Sequence, residues 1–393
     1  MSQAAPQSQA SVEHAFEKQA FDEAWFAALA QPGVQRLKAY DPGHDLVALR
    51  RKFGEANLAE LGSNENPYGP SPAARAAILD SLHALHRYPD PLGADLKRAL
   101  AAKHGVDVKQ IQLGNGSHEL LMQLGQVFVG PGDEVVFSRY GFAVFALSTQ
   151  AAGAQMRIVD ALPRDAAMPN GHDLDAIAAA IGPNTRLVYL ANPNNPTGTW
   201  FGREALIAFL DRVPREVIVV MDEAYAEMAD APDYASALSV LDRYPNLAIT
   251  RTFSKAYGLA GMRVGYLIAQ PGLIAVMDRL RESFNVSGPA LAACEAALGD
   301  VDHLNWACAR NAEQRAALAE ALRKRGLRVF PSQTNFVLVE FGANTVQIEA
   351  DLVERGVILR PMGGYGLADC IRISVGSPDE NRRLLAALDE VLA

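Results

Sequence analysis

Four short apolar runs, separated by amphipathic stretches of helical length, place the strongest constraint on the fold of this chain. The runs are EVVF at 134–137, RLVYLAN at 186–192, EVIVVMDEAY at 216–225 and LAITRTF at 247–253. They are nearly continuous in apolar residues and rich in β-branched ones, which is typical of strands buried on both faces. The segments between them, such as 173–180 and 203–213, have helical apolar spacing. This alternation predicts an α/β domain with a mostly parallel sheet in α/β/α layers.

Beyond about residue 300 the pattern changes and predicts a smaller α+β domain. An Ala-, Arg- and Glu-rich helix is expected over 303–325, followed by strands at 327–330, 336–340 and 371–375 and a last helix after Pro378. Near the N-terminus, apolar spacing predicts a helix over 13–30. We therefore divide the chain into an N-terminal extension or arm at 1–35, an N-terminal part of the small domain at 36–62, a large domain at 63–300 and a C-terminal small domain at 301–393.

Composition excludes several classes of function. The 393 residues are 49% hydrophobic and 21% charged, which suits a soluble two-domain protein. The formal net charge is −9 and the one locally basic stretch is RKRGLR at 323–328, which argues against a nucleic-acid partner. Cys294, Cys308 and Cys370 lack the spacing of a zinc or disulfide site, so no metal is expected. No apolar run of membrane-spanning length and no signal sequence is present, and we infer a reducing cytoplasmic location.

The segment TRTFSKAYGLAGMRVG at 250–265 surrounds Lys255 with small and hydroxylated residues. A lysine that attacks a carbonyl must be partly deprotonated, which requires a desolvated or positively charged setting. Thr252, Ser254 and Arg263 are suitable donors to a phosphate beside it. In isolation a solvated surface lysine is the more common outcome, so this interpretation depends on the other motifs.

Two motifs follow strand ends, where α/β proteins bind ligands. ANPNNPTG at 191–198 follows the second run and presents Asn195 in a rigid loop, although the same residues also build ordinary turns. MDEAY places Asp222 at the end of the third run, with Tyr225 three residues later. A carboxylate there needs a cation or a strong donor, and the alternative is a helix cap.

Three further features complete the candidate site. LGNGSHE at 113–119 is a turn into a helix whose amide groups, at Gly116 and Ser117, suit a phosphate, although any helix start looks similar. Tyr140 follows a strand and is placed either to stack on a ring or to pack in the core. Arg360 and Arg372 lie in the late segment, and Arg372 projects from the face opposite Ile371 and Ile373. Arginine suits carboxylate or phosphate recognition, and an ordinary strand arginine is the alternative.

Taken together and in this order, NPNNPTG, DEAY, TFSKAYGLAGMRVG and LRPMGGYG with IRISVG resemble the fold-type I pyridoxal-phosphate enzymes. The chain most resembles the histidinol-phosphate aminotransferases of the aspartate aminotransferase superfamily. SNENPYGPS at 63–71 and RYPDPLG at 87–93 also match that family, so the resemblance extends from about residue 40 to the C-terminus. It is specific because separate motifs agree in order and spacing.

The resemblance implies a role for each candidate residue. Lys255 bonds covalently to the cofactor, pyridoxal phosphate, and then transfers protons, while Asp222 pairs with the ring nitrogen and Tyr225 and Asn195 bind the phenolic oxygen. Tyr140 stacks on the ring. Arg360 and Arg372 bind anionic substrate groups and Tyr40 closes the site. The residues implied to hold the phosphate are Gly116, Ser117, Thr252, Ser254 and Arg263, with Tyr88 of the partner subunit. His118, in the turn at 113–119, is grouped with them, although a hydrogen-bond donor at the start of the helix explains it equally well.

The implied activity is a transamination in two half-reactions by a cytoplasmic homodimer, with histidinol phosphate and 2-oxoglutarate as the expected substrates. Three alternatives remain open. An aromatic amino acid aminotransferase uses the same kind of site, and a threonine-phosphate decarboxylase shares much of the motif set. A non-catalytic cofactor-binding or scaffold protein is the alternative of another class. The segment RESFNVSGPA at 281–290 departs from the family's usual proline-bearing loop, so the amino donor stays open.

Overall fold

The computed structural model describes residues 22–35, 37–38, 43–54 and 57–393. In these residues the helices are α1 Glu23–Leu29, α2 Leu46–Phe53, α3 Pro72–Ser81, α4 Ala94–His104, α5 Gly116–Phe128, α6 Ala143–Ala151, α7 Leu174–Ala179, α8 Arg203–Leu210, α9 Pro271–Met277, α10 Gly288–Gly299, α11 Val301–Lys324, α12 Thr345–Val353 and α13 Pro378–Val391. The strands are β1 Ala59–Glu60, β2 Ile111–Gly114, β3 Glu134–Ser138, β4 Gln155–Val159, β5 Thr185–Ala191, β6 Ile218–Asp222, β7 Leu247–Thr252, β8 Gly265–Ala269, β9 Arg328–Val329, β10 Phe336–Glu340, β11 Val357–Ile358, β12 Arg360–Met362 and β13 Leu367–Ser374.

The large sheet has the strand order β2-β8-β7-β6-β5-β3-β4 within the described residues. Strand β8 pairs antiparallel with both β2 and β7, whereas the other neighbouring pairs are parallel. The four apolar runs form β3, β5, β6 and β7, and the predicted mostly parallel sheet is confirmed. The edge strand β4 is exposed along most of its length, so it lacks the apolar run that identified the others.

Helices cover both faces of this sheet, which explains why its strands read as continuous apolar runs. Along β5, Val188 and Leu190 join the core beneath α4, α7, α8 and α10, whereas Leu187 and Tyr189 join the core beneath α5, α6 and α9. Side chains of a strand alternate between faces, so burial on both sides requires apolar residues at consecutive positions. The predicted α/β/α layering is therefore confirmed.

A second unit packs its own core against an antiparallel sheet of order β12-β13-β10-β9. Its core includes Leu318 of α11, Leu352 of α12 and Leu384 of α13. Strand β1 pairs in parallel with β11, and Ala59 lies in the same core. These contacts join an early segment to the C-terminal part and support the boundary that we propose between residues 62 and 63.

The predicted helix bounds differ from the observed ones mainly at the N-terminus. Of the helix predicted over 13–30, the structure has Glu23–Leu29, capped by Asp22, whose carboxylate accepts the N–H of Trp25; residues 13–21 lie outside the described residues. The last helix begins at Pro378 as expected, with Ser377 and Glu380 forming a capping box. Among the described helices, none combines the length and apolar character needed to cross a membrane.

Candidate active site

The carboxyl ends of β5, β6 and β7 open into a cavity of about 1000 Å³ that is closed on its other side by the small sheet. This is the edge at which α/β sheets bind ligands. The structure brings most of the candidate residues to its lining: Ser117, His118, Asn195, Asp222, Tyr225, Thr252, Ser254, Lys255, Arg263, Arg360 and Arg372.

Lys255 lies just after β7, with its amine inside the cavity. Its Nζ donates to the backbone oxygens of Asn64 at 3.0 Å and Ser63 at 3.2 Å. Burial and the nearby Arg372 and Arg263 lower the pKa of Lys255 to about 8, and Glu65 and Asp222 offset this only in part. A substantial fraction of the amine is therefore neutral near physiological pH, which is the form that attacks a carbonyl.

Asp222 ends β6 and is almost completely buried at the floor of the cavity. Its Oδ1 accepts a hydrogen bond of 3.1 Å from the hydroxyl of Thr250, its register partner on β7. Burial raises the pKa of Asp222 to about 6, although the bonds from Thr250 and the Ala224 N–H lower it. A buried carboxylate with so few donors is suited to accept a cationic ligand nitrogen.

Tyr225 and Asn195 lie on the wall next to Asp222. The Tyr225 hydroxyl accepts a hydrogen bond of 2.9 Å from Asn64 Nδ2, and burial raises the pKa of Tyr225 to about 12. The phenol therefore keeps its proton and can donate it to a ligand oxygen. Asn195 precedes one of two cis-prolines in its loop, and its Oδ1 accepts from Arg372 Nη1 at 2.7 Å.

Hydroxyls, a guanidinium and a helix N-terminus meet at one end of the cavity. Arg263 Nη1 donates to Ser254 Oγ at 3.3 Å, and Thr252 Oγ1 donates to Ser254 Oγ at 3.0 Å. Helix α5 begins at Gly116, where an added Cβ would lie 2.4 Å from Arg263 Nη2. An added Cβ at Gly265 would lie 2.3 Å from the Ser117 amide nitrogen, so glycine is required for this close approach. The arrangement is suited to a phosphate.

Arg360 and Arg372 supply the cationic wall on the small-domain side. They are register partners on the antiparallel strands β12 and β13, so both project from the same face of the sheet. Arg372 is buried and also donates to the Gly62 oxygen at 2.7 Å. The predicted alternation holds, because Ile371 and Ile373 lie in the small-domain core on the other face. Two adjacent guanidinium groups favour an anionic substrate.

Comparison with known proteins decides the family. The family model for aminotransferase class I and II matches residues 56–388. The chain belongs to this family. Similar proteins include histidinol-phosphate aminotransferase 2 of Pseudomonas fluorescens Pf-5, 48% identical over 94% of this chain and 98% of that one, and its namesake in Pseudomonas aeruginosa PAO1, 47% identical over 94% and 99%. The crystal structure of the Sinorhizobium meliloti histidinol-phosphate aminotransferase with pyridoxal-5'-phosphate aligns with a TM-score of 0.84 and 36% identity, covering 92% of this chain and 97% of that one. The resemblance stated from the motifs is confirmed.

The residues of this aminotransferase fit pyridoxal phosphate group by group. Lys255 offers a neutral amine for the aldehyde, Asp222 offers a carboxylate for the ring nitrogen, and the Tyr225 phenol offers a donor for the ring oxygen. The Ser254 and Arg263 cluster at the start of α5 offers donors for the phosphate. His118 lines the same end, where burial and Arg263 lower the pKa of its imidazole, so it is neutral there.

Three described site residues stand apart from the cavity lining, and a fourth predicted residue is not among the described ones. Gly116 lies behind the lining, against Arg263. Tyr140 lies two residues beyond the end of β3, and its ring packs against a small-domain cluster that includes Phe330 and Leu338, whereas Phe142 lines the cavity. The stacking role of Tyr140 stays a prediction. Tyr88 is 82% exposed and stacks on Phe284, and Tyr40 lies outside the described residues.

Asn64 is a site residue to which sequence reasoning assigned no role. Its backbone oxygen accepts from Lys255, its side chain donates to Tyr225, and Ser374 Oγ donates to its Oδ1 at 3.1 Å. Its φ of 55° is in the left-handed region, which asparagine tolerates better than most residues. The SNENPYGPS segment was a visible signal, but its spatial neighbours lie far away in the sequence.

The pKa of Lys255 predicts how its reactivity depends on pH. In the cofactor-free protein, labelling of Lys255 by formaldehyde and borohydride is expected to rise about tenfold per pH unit below pH 8 and to level off above it, because only the neutral amine reacts. Peptide mass spectrometry between pH 6 and 10 measures the labelling. The exposed Lys324 supplies the reference within the same sample. A Lys255 profile that is still rising steeply at pH 10 would contradict the lowered pKa.

Proposed function

We propose that this protein is a pyridoxal-phosphate-dependent histidinol-phosphate:2-oxoglutarate aminotransferase of histidine biosynthesis, acting in the cytoplasm. The observation that carries the proposal is the convergence of Lys255, Asp222, a phosphate-binding cluster and paired arginines on one cavity. The names of the relatives that match almost the whole chain support the choice of substrate.

Each residue has a defined task in this proposal. When bound, pyridoxal phosphate supplies an electron sink for the loss of a proton from the substrate carbon that bears nitrogen. Lys255 would hold the cofactor covalently; once the substrate amine displaces it from that bond, its freed Nζ would take this proton and return it to the neighbouring carbon of the cofactor. Asp222, as the carboxylate, stabilises a proton on the ring nitrogen. Tyr225 would donate its hydroxyl to the ring oxygen and so help to orient the cofactor.

The charge of the cavity favours anionic substrates. Among the described lining residues, the acidic side chains are Glu65 and Asp222, whereas the basic ones are Lys38, Arg139, Lys255, Arg263, Arg360 and Arg372. With Arg263 and the start of α5 assigned to the cofactor phosphate, we assign Arg360 and Arg372 to the substrate. In the two half-reactions they meet the phosphate of histidinol phosphate and a carboxylate of glutamate or 2-oxoglutarate.

The proposed assembly is a homodimer in which Tyr88 reaches the cofactor phosphate of the partner subunit. Exposed apolar side chains are frequent in the chain segment around Tyr88, at Leu79, Leu82, Leu85 and Leu92, and the Tyr88 ring stacks on Phe284. A patch of this kind is typical of a protein interface. Tyr88 lies outside the cavity lining of its own chain, which supports a role in the second site. Sedimentation of the purified protein tests the dimer.

Product analysis tests the proposed reaction. We expect the purified protein to convert 2-oxoglutarate to glutamate with histidinol phosphate as donor, at a kcat/KM at least about tenfold above that for phenylalanine, because a phosphate pairs with two guanidinium groups. An apolar wall that includes Phe137, Phe142 and Leu147 favours aromatic donors as the second candidate. A kcat/KM that is higher with phenylalanine than with histidinol phosphate would identify the protein as an aromatic amino acid aminotransferase. Release of carbon dioxide from phosphothreonine without glutamate formation would indicate a decarboxylase.

A further inference from the structure

A buried cluster of charged residues lies directly behind Asp222 and Thr250, outside the cavity. Glu223 follows Asp222, and its backbone N–H donates to the Thr250 oxygen at 2.9 Å. Arg251 lies between Thr250 and Thr252 on β7, and alternation along a strand puts its side chain on the face opposite theirs. Neither Glu223 nor Arg251 lines the cavity, so the reaction described above uses neither of them.

Arg251 is held between two carboxylates. Its Nη2 and Nε donate to Glu223 Oε2 at 2.7 and 3.1 Å, and its Nη1 donates to Glu227 Oε1 at 3.0 Å. Glu223 also accepts from the Ser236 hydroxyl at 2.7 Å and from the Ala237 N–H at 2.5 Å. The Glu223 side chain is 0% exposed, and those of Arg251 and Glu227 are 9% exposed. The cluster is therefore held by several hydrogen bonds and shielded from solvent.

With Glu223 and Glu227 ionised, the cluster carries a net charge of −1, because two carboxylates share one guanidinium. Burial of unbalanced charge is unfavourable, so a function is a reasonable hypothesis for it. Glu223 acts on Asp222 electrostatically and contributes to the raised pKa of that carboxyl, after burial, which is the largest cause. On the cavity side, Asp222 faces Lys255 and Tyr225.

The largely buried tyrosine, cysteine and histidine side chains around the cluster carry no charge near neutral pH, and Lys103 is a nearby cation. Burial raises the pKa of the surrounding tyrosine and cysteine side chains and lowers that of the histidine; these groups are Tyr234, Tyr257, Tyr266, Cys308 and His104. Lys103 is exposed, and its Nζ lies 6.0 Å from the Tyr257 ring centroid. The buried neighbours therefore leave the net charge of the cluster unchanged.

We propose that Glu223, Arg251 and Glu227 form a positioning cluster that sets the electrostatic field at the cofactor ring through Asp222. Glu223 and Arg251 connect the ends of β6 and β7 from behind and hold Asp222 against Thr250. The net negative charge of the whole cluster favours a proton on the bound cofactor. This inference rests on the proposed use of pyridoxal phosphate at this site, and it does not depend on the identity of the amino donor.

Charge-changing variants of the cofactor-loaded protein test the proposal in a pH titration. The measured quantity is the midpoint, the pH at which half of the change in the visible absorption band of bound pyridoxal phosphate has occurred. Glu223→Gln makes the cluster neutral and is expected to lower this midpoint by roughly half a pH unit or more, because the protonated form loses a nearby negative charge. Arg251→Gln gives the cluster a net charge of −2 and is expected to raise the midpoint by a similar amount. The double variant, Glu223→Gln with Arg251→Gln, restores a net charge of −1. Its midpoint is expected to return toward that of the unchanged protein.

Arg315→Gln is the matched control, because Arg315 is a buried arginine paired with Asp230 and does not line the cavity. Its midpoint is expected to stay unchanged. If Arg251→Gln does not fold, Glu227→Gln must lower the midpoint in the same direction as Glu223→Gln. Shifts of the same sign in Glu223→Gln and Arg251→Gln, or no shift in Glu223→Gln, would overturn the proposal. If the unchanged protein does not bind pyridoxal phosphate, that result would instead refute the proposed function.

Discussion

Lys255→Ala is expected to lower the rate of transamination by at least about a thousandfold while leaving measurable non-covalent binding of pyridoxal phosphate. The variant removes both the covalent attachment and the amine that transfers the proton, and a positioned acid–base group alone contributes about 10²–10⁴-fold. The phosphate-binding residues Ser254 and Arg263 and the ring-binding residues Asp222 and Tyr225 are unchanged, so non-covalent binding is retained. Glutamate formation and equilibrium dialysis of the cofactor measure the two effects.

Lys324→Ala is the matched control, since Lys324 is 73% exposed and pairs with Glu320 on the same helix. Its turnover is expected to equal that of the unchanged protein. Borohydride reduction followed by peptide mapping supplies independent evidence, because it attaches the cofactor permanently to the lysine that holds it. Transamination at the normal rate by Lys255→Ala, or attachment at another lysine, would refute the assigned role.

Arg372→Ala is expected to raise KM for 2-oxoglutarate and for histidinol phosphate by about 10- to 100-fold. Hydrogen bonds to charged groups contribute about 1.5–3 kcal/mol each, which corresponds to this range. Arg372 Nη1 and Nη2 are aligned by Asn195 and Gly62, so the guanidinium is preorganised for an anion. Steady-state kinetics with each substrate varied in turn measure the effect.

Arg372→Lys distinguishes charge from shape. Lysine keeps the positive charge but loses the planar pair of donors, so it is expected to restore only part of the affinity. Arg382→Ala, at an arginine that is 71% exposed on α13, is the control and should leave KM unchanged. An unchanged KM for glutamate and 2-oxoglutarate in Arg372→Ala would show that the carboxylate is bound elsewhere.

The parts of the site that could be predicted from sequence are those in which adjacent residues specify both an element and a chemical group. Asp222 follows a buried strand, and Lys255 follows another, so parallel pairing had to bring both to one edge of the sheet. The side on which Arg372 projects followed in the same way from the period of its strand. The ring of Tyr140 was less predictable, because a residue two positions beyond a strand is free to turn toward either domain.

Asn64 shows why contacts between distant segments could not be predicted. It reaches Tyr225, Lys255 and Ser374, which are 161 or more positions away in the chain. The pairing of Arg360 with Arg372 depends on the register of two antiparallel strands. The ion cluster behind Asp222 was also not apparent, since Glu223 and Arg251 look like surface charges in isolation.

The order of apolar runs and motifs along the chain was sufficient to determine the layered α/β fold, the family and the chemical groups available to it. Periodicity and local spacing contain this information because each element buries its own face. Tertiary packing alone decided which backbone oxygens meet Lys255, which ring lines the cavity and how far burial changes the pKa values of Lys255 and Asp222. These properties depend on distances between groups that the chain order leaves undefined and on the removal of water around them.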